Sequence, residues 1–350
     1  MLPFAPDAPL LTREHSLVEA DAPRARRFEE LPSKTDSPGY RPYRVRLTAL
    51  TPLTPSFVRA TFTGPELDRF GTDGLDQRVK LVFPLLGVPG IGISDFGFDD
   101  PRTIADGDWY ARWRALPDEL RNPFRTYTVR AVRPGAGQVD VDLVRHPTAP
   151  GTSAGPAARW LAQARVGDEL VLIGPDAGSI HSAIGIDWQP GDARELLLAG
   201  DETAAPAICS VLEQLPADRR ATAFIEVPDS RDALPIAVAP DQHRITWLPR
   251  EGRPTGALLE PAVRAWLTRH PETFATGLAS APQRINEVDV DSELLWESPG
   301  RLDGDGFYAW LAGEAGVIKS LRRLLVSETG IDRRRVAFMG YWRLGKAEAQ

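Results

Sequence analysis

The sequence predicts an antiparallel β-barrel followed by an α/β domain built on a parallel sheet. Two observations predict it. Within residues 39–186, short segments of alternating or apolar β-forming residues are separated by Pro and Gly turns, which is typical of a barrel or sandwich. Within residues 187–350, apolar strands alternate with helical segments, which indicates a parallel sheet. The turn-rich run at residues 187–192 separates the two patterns.

The first domain contains six segments that read as strands. They lie at residues 43–47, 57–62, 79–83, 127–132, 139–144 and 169–173. Residues 87–122 interrupt this series and are predicted to form an inserted loop with a short helix at 109–116. Residues 1–38 are rich in Pro, Glu, Arg and Ala without sustained periodicity, which predicts a flexible N-terminal lead.

The second domain alternates strand and helix. The predicted strands lie at residues 195–199, 221–227, 244–248, 307–312 and 335–340, and the predicted helices at 206–215, 262–269 and 315–326. In open parallel sheets, ligands bind beyond the carboxyl ends of the strands. We therefore expect a nucleotide site at that edge.

Composition limits the function classes. The chain has 350 residues, of which 42% are hydrophobic and 25% charged, as in ordinary globular proteins of two domains. The net charge of −7 argues against a general nucleic-acid binder. The single cysteine, Cys209, excludes an internal disulfide, and the five scattered histidines lack metal-ligand spacing, so we predict no metal site. Neither a secretory signal nor a membrane-spanning run is found, which predicts a cytoplasmic protein without membrane insertion. We also expect a monomer.

The run Arg-Thr-Tyr-Thr-Val-Arg at residues 125–130 is typical of a flavin site. Arg125 offers a guanidinium fork for a diphosphate, and Tyr127, on the same strand face, offers a flat ring. Thr128 supplies a hydroxyl for a flavin ring nitrogen, and Arg130 adds a second guanidinium. The alternative is an ordinary exposed strand, because short motifs have real false-positive rates.

A second feature follows at residues 155–160, where small residues start a predicted helix. Backbone N–H groups at such a helix start can approach a diphosphate. The residues concerned are Gly155, Pro156, Ala157 and Ala158. An ordinary loop-to-helix junction is the alternative. His146, at the end of the preceding strand, could stack on or hydrogen-bond the cofactor, although a lone histidine is more often structural.

A strand–loop–helix cradle at residues 200–206 predicts the nicotinamide site. It lacks the three-glycine dinucleotide pattern and carries two acids, which favours weak and transient binding. At the end of the next strand, Glu226 could hold a ribose 2′-hydroxyl, whereas Arg231 could hold a 2′-phosphate, so NADH and NADPH both stay open. The predicted nicotinamide contacts are Gly200, Asp201, Glu202, Thr203, Glu226, Arg231, Gly313 and Glu314. As an acid at a helix start, Glu314 could instead only compensate the helix dipole.

The chain resembles the siderophore-interacting protein family of flavin-dependent ferric reductases. The similarity covers residues 38–346, with the motifs in the family's order. The matching segments are residues 41–45, 76–81, 125–130, 146, 155–160, 198–204, 311–315 and 340–345. Two departures stand out: residues 147–153 lengthen the turn after His146, and the N-terminal lead is longer than the barrel requires.

The resemblance implies a six-stranded Greek-key FAD-binding barrel joined to an NAD(P)H-binding domain, as in ferredoxin reductases, whose C-terminal segment returns toward the flavin. It implies FAD as cofactor, NADH or NADPH as donor, and a ferric siderophore as substrate. By this analogy Arg125 meets the diphosphate, Tyr127 packs along the isoalloxazine and Thr128 bonds its N5 region. Arg130 would hold phosphate or ribose.

Four residues are candidate siderophore contacts: Lys80, Arg250, Arg343 and Trp342. Cations near the flavin would attract anionic siderophores. For each cation the alternative is a solvated surface charge, and for Trp342 a core position. No catalytic side chain is predicted, since the flavin carries the chemistry.

The function that we predict is FAD-mediated reduction of a ferric siderophore by NAD(P)H, which releases iron(II). Two alternatives remain open. One is a general NAD(P)H reductase that acts on flavins, quinones or a protein partner. The other is a siderophore-binding carrier with little redox activity.

Overall fold

The computed structural model describes residues 33–71, 73–86, 92–145, 154–238, 243–285, 288–290, 293, 295–300 and 304–345. It confirms the predicted class, an antiparallel barrel followed by an α/β domain. Among the described residues, no helix is long and apolar enough to cross a membrane. The described part of the N-terminal lead is docked, because Thr35 exchanges backbone hydrogen bonds with Gly178 and Ile180. Residues 1–32 of the lead lie outside the described residues.

Six antiparallel strands close the barrel in the Greek-key order β1-β2-β5-β4-β3-β6, with β6 pairing back onto β1. Their bounds are β1 Tyr40–Pro52, β2 Phe57–Thr63, β3 Arg78–Val82, β4 Phe124–Arg133, β5 Gln138–Val144 and β6 Glu169–Pro175. Alternate residues point inward and fill the barrel with apolar side chains, as the period of two requires. The third helix in chain order, α3 at Pro156–Leu161, packs Trp160 into this core beside Phe62 and Phe83.

The insertion between β3 and β4 holds two helices where the sequence predicted one. Helix α1, Pro101–Asp106, begins at a capping aspartate, Asp100, whose side chain accepts from the Arg102 amide at 2.9 Å. Helix α2, Trp109–Ala115, confirms the predicted helix. Phe96, Phe98, Trp109 and Trp113 pack together with Val82, Phe124, Val171 and Ile173 of β3, β4 and β6.

The second domain is a six-stranded sheet in the order β10-β12-β11-β7-β8-β9. The bounds are β7 Glu195–Gly200, β8 Arg220–Val227, β9 His243–Pro249, β10 Trp296–Glu297, β11 Phe307–Glu314 and β12 Val336–Trp342. The five longer strands are parallel, and β10 pairs antiparallel with β12. The two residues of β10 are too few to produce a readable alternation, so the sequence did not predict this strand.

Helices cover both faces of the sheet. They are α4 Ala205–Glu213, α5 Leu259–Arg269, α6 Pro271–Phe274 and α7 Ala315–Arg322, with a π-helical turn at Arg323–Glu328. Short 3₁₀ turns lie at Leu67–Arg69, Asp118–Leu120, Pro134–Ala136, Ser230–Asp232, Ala275–Gly277 and Arg333–Arg335. Along β7, Leu196 and Leu198 pack on the α4 side, whereas Leu197 and Ala199 pack on the α5 and α7 side. Phe57 of the barrel belongs to the α4-side core, so the two domains share apolar packing at their seam.

Candidate functional site

Strand β4 carries the predicted flavin residues on two faces. Its pairing with β3 sets Leu81 opposite Arg125 and Val79 opposite Tyr127, so these two side chains share the face of the barrel core. Tyr127 packs against the same core cluster as Ala157 of α3. Thr128 pairs with Arg78, lies on the other face and is buried. Tyr127 and the start of α3 therefore lie against one apolar cluster of the barrel.

The start of α3 is open. Gly155 is the N-cap residue and supplies no side-chain hydrogen bond, and Pro156 occupies the first turn. A Cβ atom built on Gly155 would meet no heavy atom of the described residues within 4 Å. This space and the uncapped backbone N–H groups of Ala157 and Ala158 suit an anionic group. His146 lies outside the described residues.

Arg130 corrects one expectation. Its two terminal nitrogens donate to the two carboxylate oxygens of Glu213 on α4, both at 2.7 Å, and its Nε lies 3.7 Å from Asp142. With both ends of the guanidinium fork engaged by a carboxylate, Arg130 is not available to the flavin phosphate or ribose that we predicted for it. The strand pattern showed a basic residue but not its partner on a helix of the other domain.

A buried carboxylate organises the carboxyl edge of the sheet. Asp201 follows β7 and accepts hydrogen bonds from Thr203 N at 2.9 Å, Glu314 N at 2.8 Å and Trp342 Nε1 at 2.7 Å. The ends of β7, β11 and β12 therefore meet at Asp201. Gly313 is needed there, since its φ is +149° and a Cβ would lie 2.6 Å from Asp201 Oδ2.

The two acids of the cradle make their polar contacts within the protein. Burial, together with the neighbouring Glu202, raises the pKa of Asp201. Glu202 itself forms a bidentate pair with Arg250, at 2.6 and 2.9 Å. The acids that we expected to repel a diphosphate are thus both buried and partnered. Gly200, Asp201, Thr203, Gly313 and Glu314 are brought together as predicted for one nucleotide edge.

Two further expectations are corrected on this edge. Glu226 is fully buried and accepts from the amides of Gly256, Leu258 and Leu259 at 2.7–3.1 Å, where it holds the start of α5. Its carboxylate is therefore not open to a ribose. Arg250 is buried between Glu202 and Glu226, so it is not a surface contact for a siderophore.

Four candidate contacts remain: Arg231, Glu314, Arg343 and Trp342. Arg231 lies beyond β8, is 72% exposed and pairs with Asp229 at 2.7 Å. Glu314 caps α7 by accepting from Val317 N at 3.0 Å, which fits the dipole alternative. Arg343 donates to the Val290 carbonyl at 2.6 Å. Trp342, half-buried, belongs to the Asp201 edge.

Lys80 lies on β3, on the outer face of the barrel. Its ammonium donates to Thr126 Oγ1 at 3.2 Å and lies 4.8 Å from the centre of the Phe124 ring. The neighbouring position on that face is Arg78, which pairs with Asp187 at 2.9 Å and stacks on Trp296. Two cations of β3 therefore lie in sequence along one face near Thr126 and Thr128.

The sequence reasoning missed the polar contacts at the seam between the domains. Asp76 is fully buried and accepts from Trp310 Nε1 at 2.9 Å and Trp188 N at 3.1 Å, and burial raises its pKa to about 6. Asp232 accepts from Thr54 Oγ1 and from Ser56 N and Oγ, each at 2.8 Å. Asp76 was part of a matched motif, but nothing in the local pattern revealed partners more than 100 residues away.

Comparisons with known proteins show similarity along both domains. Two protein-family models match this chain. The family model of the siderophore-interacting FAD-binding domain matches residues 46–179, and that of the siderophore-interacting protein matches residues 193–345. An uncharacterized protein of Mycobacterium tuberculosis is 33% identical over 300 residues, which are 85% of this chain and 88% of that protein. The ferric vibriobactin reductase ViuB of Vibrio cholerae is 28% identical over 293 residues, covering 84% and 86% of the two chains.

Among solved structures, a siderophore utilization protein from T. fusca superimposes with a TM-score of 0.60 at 26% identity. The superposition covers 90% of this chain and 97% of that one. The likeness spans both the barrel and the sheet domain. The chain belongs to the siderophore-interacting protein family, with an FAD-binding barrel as its first domain.

Proposed function

We propose that this protein binds FAD and passes electrons from NADH or NADPH to a ferric siderophore, so that iron(II) is released in the cytoplasm. The observation that carries the proposal is that Tyr127 of β4 and Ala157 at the open start of α3 pack against one core cluster, inside the segment that the family model of the FAD-binding domain matches. The similarity to a ferric vibriobactin reductase supports the choice of substrate.

The residues of the barrel fit FAD. Arg125 supplies the fork for the diphosphate, and the open backbone beside Gly155 gives it room. Tyr127 supports the flat ring system, and the hydroxyl of Thr128, buried near the seam, orients its polar edge. When bound, FAD supplies the conversion of a two-electron hydride into single electrons.

The carboxyl edge of the sheet is our candidate for the nicotinamide nucleotide. Asp201 holds the cradle and the ends of β11 and β12 in one arrangement, and its charge is engaged internally. Arg231 stands beyond the end of β8, where it could meet a 2′-phosphate. This geometry supports binding of a nucleotide at the edge, and it leaves both NADH and NADPH as candidate donors.

Electrons and protons balance in the proposed reduction of the ferric siderophore. One hydride carries two electrons, which reduce two ferric siderophores from iron(III) to iron(II), and one proton is released. Iron(II) has the lower charge and binds hard oxygen chelators less tightly, so it leaves the chelate. Lys80 and Arg343 are the proposed contacts that attract an anionic chelate. The iron is substrate throughout; among the described residues there is no group of three or more acids, histidines or cysteines that could hold a metal ion.

An anaerobic titration followed by visible spectroscopy tests this proposal. The FAD-loaded protein is titrated with NADH, then with NADPH, and finally with a ferric siderophore, with an iron(II) chelator present to report the product. We expect bleaching of the flavin band by at least one nucleotide and its recovery on addition of the ferric siderophore. Reduction of siderophore iron no faster than by free reduced flavin, with a quinone as the better acceptor, would make this a general reductase. Protein that binds no added FAD would refute the proposal.

A further inference from the structure

Arg130 and Glu213 form an ion pair across the seam between the barrel and the sheet domain. The guanidinium and the carboxylate meet at two parallel contacts of 2.7 Å each. The side chains are only 11% and 23% exposed. Bidentate pairs that are shielded from water are stronger and more directional than exposed ion pairs, which fixes their geometry.

The partners belong to the two elements that carry the proposed cofactor contacts. Arg130 is on β4, the strand of Arg125 and Thr128. Glu213 is the last residue of α4, the helix that follows the nicotinamide cradle directly. A displacement of α4 relative to β4 would therefore change the separation of the two cofactor segments.

The local backbone presents Arg130 to α4. The register of β4 against β5 shifts between Val129 and Ala131, so Arg130 lies in a β-bulge. Bulges re-aim one side chain and are frequent beside functional sites. Glu213 is also held within the sheet domain, where its carboxylate accepts a hydrogen bond from the Ala237 amide at 3.4 Å.

The surrounding charges match the pair. Asp142 is buried on β5, bonds Arg59 at 2.7 and 2.9 Å, and lies 3.7 Å from Arg130 Nε. Two arginines thus face two carboxylates in one cluster. This balance explains why Arg130 serves the seam and has no excess positive charge for a phosphate.

We infer that the Arg130–Glu213 pair is a positioning contact that sets the approach of the nicotinamide cradle to the flavin strand. The inference rests on the proposed function, because it concerns the passage of hydride between the two sites. Rates of such transfers depend steeply on distance and alignment. Of the seam contacts described above, this pair is the one that joins β4 to α4.

The test uses Arg130→Gln, Glu213→Gln and the exchange Arg130→Glu with Glu213→Arg. The matched control is Arg133→Gln, since Arg133 lies on the same strand and makes an equally bidentate pair, at 2.6 and 2.7 Å, with Asp140 of the same domain. At saturating nucleotide, we expect flavin reduction to be about tenfold slower in both single variants and unchanged in the control. The exchange variant should recover only part of that rate, because its carboxylate at position 130 would face the buried Asp142.

FAD affinity separates the inference from its rival. We expect both single variants to bind FAD within about threefold of wild type. Weakened FAD binding in Arg130→Gln alone would make Arg130 a flavin ligand and overturn the inference. Wild-type rates of flavin reduction in both single variants would overturn it as well.

Hydrogen–deuterium exchange of the FAD-free protein tests whether the Arg130–Glu213 pair restrains α4, and it needs no nicotinamide nucleotide. We expect faster exchange of the α4 amides in both single variants and not in Arg133→Gln, because the Arg130–Glu213 pair joins α4 to β4 and the Arg133–Asp140 pair does not. A wild-type protein reduced by neither nucleotide would refute the proposed donor, while the exchange data would still judge the contact. Unchanged exchange in α4 would overturn the inference.

Discussion

The indole nitrogen of Trp342 donates a 2.7 Å hydrogen bond to Oδ2 of Asp201, a carboxylate in a residue that is only 2% exposed. The same oxygen accepts from the Glu314 amide at 2.8 Å. The last residue of β12 is thereby tied to the end of β7 and to the start of α7. A buried carboxylate that loses a donor cannot replace it with water, so this bond stabilises the edge where we place the nucleotide.

Trp342→Phe keeps most of the ring and removes the N–H group. We expect the variant to lose about 1.5–3 kcal/mol of unfolding free energy at neutral pH, the usual range for a hydrogen bond to a charged group. Urea denaturation measures the loss. Trp247→Phe on β9 is the control, because it makes the same ring change away from Asp201. Equal losses in the two variants would assign the effect to ring packing and not to the hydrogen bond.

Glu226→Gln tests whether the acid at the end of β8 is structural. The carboxylate serves three amides at the start of α5 and also Arg250, so we expect a loss on the order of 2 kcal/mol. The Michaelis constant for the nucleotide should stay near that of wild type. Glu251→Gln, an exposed neighbouring acid, is the control for stability. Normal stability combined with a raised Michaelis constant for NADH would show that Glu226 contacts the ribose of the nucleotide.

Arg125→Ala removes the proposed diphosphate fork. We expect FAD affinity to fall by about 2–4 kcal/mol, because a buried charged partner of a phosphate is lost. Fluorescence titration of the FAD-free protein gives the affinity. Arg125→Lys should recover only part of it, since an ammonium keeps the charge and loses the fork. Arg46→Ala, an exposed arginine on β1, serves as control, and affinity equal to wild type in Arg125→Ala would exclude Arg125 from the diphosphate site.

Lys80→Ala should raise the Michaelis constant for an anionic ferric siderophore several-fold and leave FAD binding unchanged. The ammonium lies against the Phe124 ring on the outer barrel face, where it adds to the positive field of Arg78. Steady-state kinetics with an anionic and a neutral acceptor separate the two effects. The difference should shrink at high ionic strength, because salt screens the attraction. An equal rise for the neutral acceptor would argue against recognition of charge.

Much of the architecture could be predicted because it is local. Alternation at residues 57–62 and 139–144 predicted strands β2 and β5, and the apolar run that became β7 marks a strand buried on both faces. The same local signals predicted α2 and the start of α7. Asp100 before Pro101 is also a helix-start signal, and reading it would have predicted α1.

The site was harder to predict because its roles depend on distant partners. Glu226 and Arg250 stand at positions typical of ligand contacts, yet they bind each other, and Glu226 also accepts from backbone amides some 30 residues away. Arg130 meets a partner 83 positions further along the chain. A sequence shows which charges are present, whereas only the fold shows which of them are already neutralised.

We expect the free energy of unfolding to depend on pH through Asp76. Burial, reinforced by Asp187, raises the pKa of Asp76 to about 6, against 3.8 in a solvated carboxyl. The folded protein therefore holds this proton more tightly than the unfolded chain does. The stability that it contributes is fully present below pH 4 and is lost as the pH rises through 6. The difference between the two pKa values corresponds to about 3 kcal/mol at neutral pH.

Asp76→Asn keeps the shape of the side chain and cannot ionise. We expect the unfolding free energy of the variant, relative to wild type, to rise by about 3 kcal/mol between pH 4 and pH 7.5. Urea denaturation of both proteins across this range gives the difference, which cancels the titration of all other groups. Asp68→Asn, at an exposed acid of the barrel, is the control and should not reproduce this rise. A difference that stays flat with pH would mean that the seam solvates the Asp76 carboxylate as well as water does, through Trp310 and the amides of 187 and 188.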